Sequence, residues 1–207
     1  MNDYITYITR EIKESASVLA DLADSCSEQI IEAVEAILLC LSAGGKVIVF
    51  GNGGSAVEAQ HFVAELVGRY RLERQPFAAV ALTADSASLT AIANDYGFEQ
   101  VFSRQLLALA RPNDIAFAIS TSGNSPNIIH ALEAARSLGL VTIGLTGRAG
   151  GKLAKRAHVC LNAPSDSTPR IQEAHTLLVH VLCGIVENAF VSRAQPHQLK
   201  SVTGEVR

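Results

Sequence analysis

The chain of 207 residues contains no tryptophan, few cysteines and no run of basic residues. Its longest apolar stretches are interrupted by His, Glu or Gly well short of the roughly 20 residues that span a bilayer, so we expect no membrane segment. The absence of a basic run and of clustered aromatic side chains argues against a nucleic-acid-binding protein. The beginning of the chain also lacks the basic-then-apolar order of a signal peptide.

The cysteines are isolated along the chain and form no C-x-x-C pair; they are Cys26, Cys40, Cys160 and Cys183. This spacing gives neither a disulfide framework nor a typical thiolate metal site. They are therefore predicted to be reduced packing residues of a cytoplasmic protein. With 48% apolar residues and a net charge of −3, the composition is that of a globular protein, and the length suits one sizeable α/β domain.

Short apolar runs alternate with helical patterns along most of the chain. These runs lie at about 46–50, 78–82, 115–119, 141–145 and 158–161. Continuous apolar strands separated by helices indicate a five-stranded parallel sheet covered on both faces, an α/β fold. Two separate helices, ending near Leu22 and Leu41, are predicted before the first strand, and a long final helix is predicted from about Arg170 to Phe190. Residues 1–191 are expected to form one domain, followed by a loose polar tail, 192–207.

A hydroxyl-rich loop, residues 120–125, separates a predicted buried strand from a helical pattern that begins near Ile128. The unpaired N–H groups at the start of a helix carry partial positive charge and stabilise an anion. Gly123 would let the backbone approach such an anion, and four hydroxyls could donate to it: Ser120, Thr121, Ser122 and Ser125. No lysine follows the glycine, so a small phosphomonoester fits better than a nucleotide polyphosphate. The alternative is an ordinary turn with a serine N-cap.

A glycine-rich loop, Gly51–Ser55, follows the first predicted strand. Ligands bind at the carboxyl ends of the strands of an open parallel sheet, so both loops are candidate binding loops. Residues 51–56 also satisfy the G-x-G-x-x-A dinucleotide pattern. The acidic residue expected about twenty positions later has no good candidate, because Glu73 precedes the second strand and Asp85 follows it. A Rossmann cofactor is therefore the weaker alternative.

Two pairs of polar residues lie at helical spacing. His61 and Glu65 are four residues apart in the helix after the glycine loop, so both side chains project from one face. Gln172 and His180 lie on one stripe of the final helix, with Thr176 between them. Either pair could be an ordinary surface pair, but an imidazole nitrogen and a carboxylate oxygen could also hold a metal ion.

Seven short motifs run from the first loop to the final helix: GNGGS (51–55), QHFVAE (60–65), GRY (68–70), NDYG (94–97), STSGNS (120–125), LTG (145–147) and RIQEAH with a later His (170–180). In this order and spacing they resemble the SIS-domain sugar isomerase family, over the chain as far as about Phe190. The resemblance implies a flavodoxin-like five-stranded sheet and a homotetramer with active sites shared between subunits. Under that arrangement Glu65 and His180 need not meet within one chain.

The resemblance also implies an activity, the conversion of sedoheptulose 7-phosphate to glycero-manno-heptose 7-phosphate, the first step towards the heptoses of bacterial surface glycans. It assigns substrate contacts to Asn52, Gly53, Gly54, Asn94 and Asp95, and phosphate contacts to Ser120, Thr121, Ser122 and Ser125. It assigns one zinc ion (Zn2+) per subunit to His61, Glu65, Gln172 and His180, with Glu65 and Gln172 also facing the substrate. Pro169 is a departure, because some members carry Asp there, so no carboxylate role is transferred to it.

Aldose–ketose isomerisation moves a proton between neighbouring carbons through an enediol, which requires a base and a donor or Lewis acid. Glu65 is the candidate base, and His180 is the candidate acid for ring opening or proton shuttling. A carboxylate bound tightly to zinc is a poor base, because the metal lowers its proton affinity. Glu65 could bind zinc loosely, or the metal could be partly structural; both alternatives stay open.

Two non-enzymatic functions fit the same motifs. A relative with this fold binds a replication initiator without turning over sugar; it keeps the Gln60–His61 pair but lacks the acid and the second histidine. A sugar-phosphate-sensing domain would keep the serine loop but have no use for Glu65. Because the chain has both Glu65 and His180, the enzyme is favoured.

Overall fold

All five predicted strands form, and they make one parallel sheet. They are β1 (Val47–Gly51), β2 (Ala79–Ala81), β3 (Ile115–Ile119), β4 (Val141–Thr146) and β5 (Val159–Asn162). The computed structural model describes residues 2–194, and in it the strand order is β2-β1-β3-β4-β5. Every residue of β1 and β3 is buried, which is why these strands are continuous apolar runs. The predicted α/β class and flavodoxin-like order are confirmed.

Helices cover both faces of the sheet: α1 (Asn2–Ser42), α2 (Gly54–Val67), α3 (Ser86–Tyr96), α4 (Ser103–Leu109), α5 (Pro126–Ser137), α6 (Gly151–Ala154) and α7 (Thr168–Ala194). Alternate strand residues serve opposite faces. Val47 and Val49 pack in one core with α1, α2 and α7, whereas Ile48 and Phe50 pack in a second core with α4 and α5. Two helices of the first core, α2 and α7, carry the candidate histidines His61 and His180.

The N-terminal region differs from the sequence prediction. The two predicted helices are a single helix, α1, of 41 residues. The apolar periodicity weakens between Leu22 and Ile30, but this stretch contains neither glycine nor proline, so nothing ends the helix. A polar stretch inside α1 therefore resembles a helix boundary without being one.

The final helix is longer than predicted, because α7 continues to Ala194. Its last three residues belong to the predicted polar tail, and the rest of that tail, 195–207, lies outside the described residues. By length and composition alone, Thr168–Ser192 could cross a membrane, with a mean hydropathy of 1.5. Part of its apolar surface packs into the protein core, including Leu178, Val179 and Leu182, whereas Leu177 and Ile185 are exposed. Burial in the core that α7 shares with α1 and α2 therefore accounts for part of its apolar character.

The cysteines are free thiols, as predicted. Burial raises the pKa of Cys40 to about 11 and the pKa values of Cys160 and Cys183 to about 12. These thiols are protonated at neutral pH and act as packing groups rather than as nucleophiles.

Candidate active site

The strand order brings the glycine loop and the serine loop side by side. β1 and β3 are neighbours, and the chain leaves them towards opposite edges of the sheet, which opens a crevice at their carboxyl ends. Asn52 in the glycine loop and the buried Asn127 in the first turn of α5 donate to each other's side-chain oxygens, both at 2.9 Å. This paired amide contact joins the glycine loop to the helix that follows the serine loop.

The serine loop leads from the end of β3 into the first turn of α5. Ser120 is buried at the end of β3, and Ser122 is exposed. Ser125 occupies the N-cap position of α5, yet within residues 2–194 its hydroxyl makes no capping hydrogen bond. Gly123 has φ +62°, and a Cβ there would lie 2.2 Å from the carbonyl oxygen of Gly150. The turn therefore requires glycine at position 123.

The glycine loop is packed against α7. A Cβ on Gly54 would lie 2.2 Å from Nε2 of Gln172, so any larger residue would displace that amide. The contact places Gln172 over the start of α2 and explains the third glycine of the loop by close approach rather than by dinucleotide binding.

His61 and Glu65 on α2 meet His180 on α7. One ligand atom from each of the three lies within 4.8 Å of the others. Nε2 of His61 lies 3.3 Å from Nε2 of His180 and 3.4 Å from Oε1 of Glu65. All three side chains are partly buried. The shared-site arrangement did not require Glu65 and His180 to meet within one chain, but the packing of α2 on α7 brings them together there.

Tyr70, the last residue of the GRY motif, stacks on the ring of His180, with centroids 5.3 Å apart and an interplanar angle of 22°. The buried carboxylate of Glu187 holds this segment by accepting from the backbone N–H groups of residues 70–72, at 2.8–3.1 Å. Arg74 lies 3.2 Å from the same carboxylate. Burial alone would raise the pKa of Glu187, but the N–H donors and the Arg74 guanidinium outweigh it, so the pKa lies below its ordinary value of 4.5.

Sequence reasoning missed Glu58. Its Oε1 lies 3.2 Å from Nδ1 of His61, and its Oε2 accepts a hydrogen bond of 2.7 Å from Thr176. The spacing held a usable signal, since Glu58 precedes His61 by three residues and therefore shares its helix face. Nothing in the sequence indicated that Thr176 of α7 would meet it.

A cavity of about 400 Å³ lies between the glycine loop and the first turns of α7, a size suited to a small ligand. Its lining residues are Gly54, Ser55, Val57, Glu58, Pro169, Gln172, Glu173, His175 and Thr176. His175 is a buried wall residue whose Nε2–H donates to the carbonyl oxygen of Thr146. Burial lowers the pKa of His175 to about 4, so its ring is neutral at physiological pH.

Asn94 and Asp95 are not brought to the histidine cluster. They are exposed near the end of α3, and Asn94 donates to Asp95 at 2.7 Å. Partly buried residues of α3, such as Leu89 and Ile92, pack against the second core, on the other face of the sheet from α2 and α7. Within one subunit, residues 2–194 therefore do not unite all the positions that the motifs singled out.

Comparison with known proteins identifies the family. The SIS domain family model matches residues 12–147, which include both loops, His61 and Glu65. The chain belongs to the SIS-domain family. It is 49% identical to the phosphoheptose isomerase of Aquifex aeolicus over 187 residues, 90% of this chain and 98% of that protein. It is 52% identical to the phosphoheptose isomerase of Rhodospirillum rubrum over 167 residues, 81% of this chain and 89% of that protein.

A solved phosphoheptose isomerase from Neisseria gonorrhoeae has the same fold, with a TM-score of 0.85 at 44% identity, covering 89% of this chain and 99% of that one. The resemblance read from the motifs is thereby confirmed, and this SIS-domain chain is an isomerase. The family model ends before α7. An alignment over 90% of the chain nevertheless includes Gln172 and His180, because it leaves too few residues unmatched to exclude that helix.

Proposed function

We propose that the protein interconverts D-sedoheptulose 7-phosphate and D-glycero-D-manno-heptose 7-phosphate, in the cytoplasm, for the synthesis of bacterial surface heptoses. The related isomerases support action on a sugar phosphate. The observation that carries the proposal is the meeting of Glu65 with His180 within one chain whose serine loop has the form of an anion cradle. An enediol isomerisation of a sugar phosphate requires a base, a proton donor and groups that bind the phosphate.

Each group has a distinct task in this proposal. Hydroxyl and N–H donors of the serine loop bind the remote phosphate and hold the open-chain sugar in reactive geometry. Glu65 removes the proton from one carbon and returns it to its neighbour. His180 exchanges a proton with the sugar oxygens, and Tyr70, stacked on its ring, restricts its orientation. Asn52, Gly53, Gly54 and Gln172 line the approach to the sugar.

The donor set fits a zinc ion, with His61, Glu65 and His180 supplying two imidazole nitrogens and one carboxylate oxygen. Gln172, on the same stripe of α7 as His180, is the proposed fourth ligand. Such an ion, when bound, would polarise the sugar oxygens and stabilise the developing oxyanion. Glu65 then needs to bind it loosely enough to retain its basicity.

A homotetramer is the proposed assembly. The first half of α1 exposes a row of large apolar side chains, among them Tyr4, Ile5, Ile8 and Ile12, each with more than half of its surface accessible. Exposed apolar rows of this size are typical of subunit interfaces. Asn94 and Asp95, remote from the cluster of their own chain, are proposed to serve the active site of a neighbouring subunit.

A non-catalytic regulator remains the alternative from another functional class. The presence of Glu65 and His180 at hydrogen-bonding range of His61 counts against it, because a binding protein has no need of a base and an acid at one point.

Incubation of the purified protein with sedoheptulose 7-phosphate in deuterated water tests the activity. We expect the aldose product to carry deuterium at the exchanging carbon, as observed by NMR, because the enediol exchanges its proton with solvent. An aldose formed without deuterium would argue for a shielded proton or hydride transfer. A lack of conversion both with and without added zinc would leave the regulator as the better explanation.

A further inference from the structure

Glu58 joins α2 to α7 next to the histidine cluster. Its Oε1 contacts Nδ1 of His61 at 3.2 Å, and its Oε2 accepts from the hydroxyl of Thr176 at 2.7 Å. Only 13% of the Glu58 side chain is accessible, so the carboxylate is largely shielded from water. Both oxygens are thus engaged by groups from two different helices.

The contact with Glu58 sets the tautomer of His61. A carboxylate can only accept a hydrogen bond, so a His61 ring that uses its Nε2 lone pair for a metal ion donates its Nδ1–H to Glu58. In a neutral imidazole, the lone pair then resides on Nε2, which faces Oε1 of Glu65 and Nε2 of His180. Glu58 therefore aims the coordinating nitrogen of His61 at the point where the other two donors converge.

Thr176 fixes Glu58 in turn. It lies midway between Gln172 and His180 on α7, and its hydroxyl makes a second contact, of 3.2 Å, with the carbonyl oxygen of Gln172. The pair Glu58–Thr176 thus sets the spacing of α2 and α7 about one helical turn away from the contact between His61 and His180.

We propose that Glu58 is a positioning residue for the metal and proton-transfer site: it holds His61 in the Nδ1-protonated tautomer, with Nε2 presented to zinc, and is itself held by Thr176. This inference rests on the proposed function. Hydrogen-bond partners of ligating histidines typically contribute 10–100-fold to metal affinity.

The test compares zinc affinity in Glu58→Ala, Glu58→Gln and Thr176→Val, measured by competition with a chromogenic chelator, together with kcat and KM at saturating zinc. Glu58→Ala should bind zinc about 10–100-fold more weakly. Glu58→Gln should restore most of the affinity, because its amide oxygen still accepts from His61. Thr176→Val should show a smaller loss in the same direction. Glu73→Ala, on an exposed side chain, is the control and should match the wild type.

The variants also separate this inference from the proposed function. An active, zinc-binding wild type with an unchanged Glu58→Ala would overturn the positioning role alone. If Glu58→Gln were as weak as Glu58→Ala while both kept the wild-type circular dichroism and Tm, the hydrogen-bond explanation would be wrong. A wild type that neither binds zinc nor converts the sugar would overturn both proposals. Loss of kcat with KM unchanged in Glu58→Ala supports the role, because the serine loop is untouched.

Discussion

Glu65 and His180 act as base and acid in the proposed proton transfer, so replacing either of them should lower turnover to a similar extent. Glu65→Gln keeps the shape and removes the basic oxygen, and we expect kcat to fall at least ~10²-fold. His180→Gln should cause comparable loss and lower the zinc content measured by mass spectrometry, because an imidazole ligand is removed. The double variant should be little worse than the poorer single variant, since groups that act as a unit are not additive.

Substrate affinity gives the control for that experiment. Glu65→Gln should still bind the sugar phosphate, measured by calorimetry, because the serine loop is unaltered. Glu73→Gln, whose side chain is 92% exposed, should retain wild-type turnover. Near-normal turnover in Glu65→Gln would refute its role as the base, whatever the family relationship.

The serine loop should contribute mainly to binding. Replacing Ser120 and Ser122 by Ala removes two donors to a charged phosphate, and we expect affinity to weaken by about 1–3 kcal/mol. The measurement is calorimetric titration in a Glu65→Gln background, where the sugar is not turned over. Ser137→Ala, at the other end of α5, is the matched control. If the double variant kept full affinity and lost turnover alone, the phosphate would have to bind elsewhere.

At the scale of elements, Glu187 holds the segment after α2 against α7. Glu187→Gln leaves Arg74 without its charge partner and turns one acceptor into a donor facing backbone N–H groups. We expect the free energy of unfolding at neutral pH to fall by about 3 kcal/mol, as for other broken buried pairs. Urea denaturation at fixed protein concentration measures it. Glu133→Gln, in an exposed pair with Arg156, should change it by less than about 1 kcal/mol.

The pH dependence of that effect has a definite sign. The folded pKa of Glu187 lies below its ordinary value of 4.5, so the unfolded chain takes up the proton first as pH falls. The stabilisation is therefore complete well above pH 4.5 and is lost as pH drops through the folded pKa. The gap between wild type and Glu187→Gln should narrow in acid; a gap that stayed constant would show that the charge of Glu187 is not what stabilises the fold.

At the scale of the whole molecule, the exposed apolar half of α1 predicts self-association. Size-exclusion chromatography with light scattering should return about four times the 21.9 kDa of one chain. Ile8→Glu combined with Ile12→Glu should shift the protein towards smaller species, because a buried charge opposes the interface. Lys13→Glu, on an exposed side chain of the same helix, should leave the mass unchanged. A monomeric wild type would contradict the tetramer.

Mixed assemblies test whether sites are shared. Asn94→Ala and His180→Gln should each be poorly active alone. Co-expressed, they should regain part of the activity if Asn94 of one subunit completes the site of another, because some sites then combine two intact halves. If the co-expressed variants regained no activity, Asn94 would either act in the active site of its own chain or have no role in an active site.

The sequence by itself determined the secondary structure of the sheet and the loops that follow its strands. Fully buried strands must be continuous apolar runs. The two loops rich in glycine and hydroxyl residues were recognisable because they follow strands of a parallel sheet, where ligands bind. The same local signals predicted two helices in place of α1, because a weakened apolar periodicity resembles a helix boundary even where no glycine or proline ends the helix.

Only the tertiary structure decided which helix faces meet. Periodicity places His61 and Glu65 on one side of α2, but it contains no information about the angle and depth at which α7 packs against that side. That packing places His180 beside His61 within one chain, sets Thr176 against Glu58 and brings Glu187 to residues 70–72. These contacts join residues more than 100 positions apart, and they depend on the volume of every side chain in the core between the two helices rather than on any local pattern.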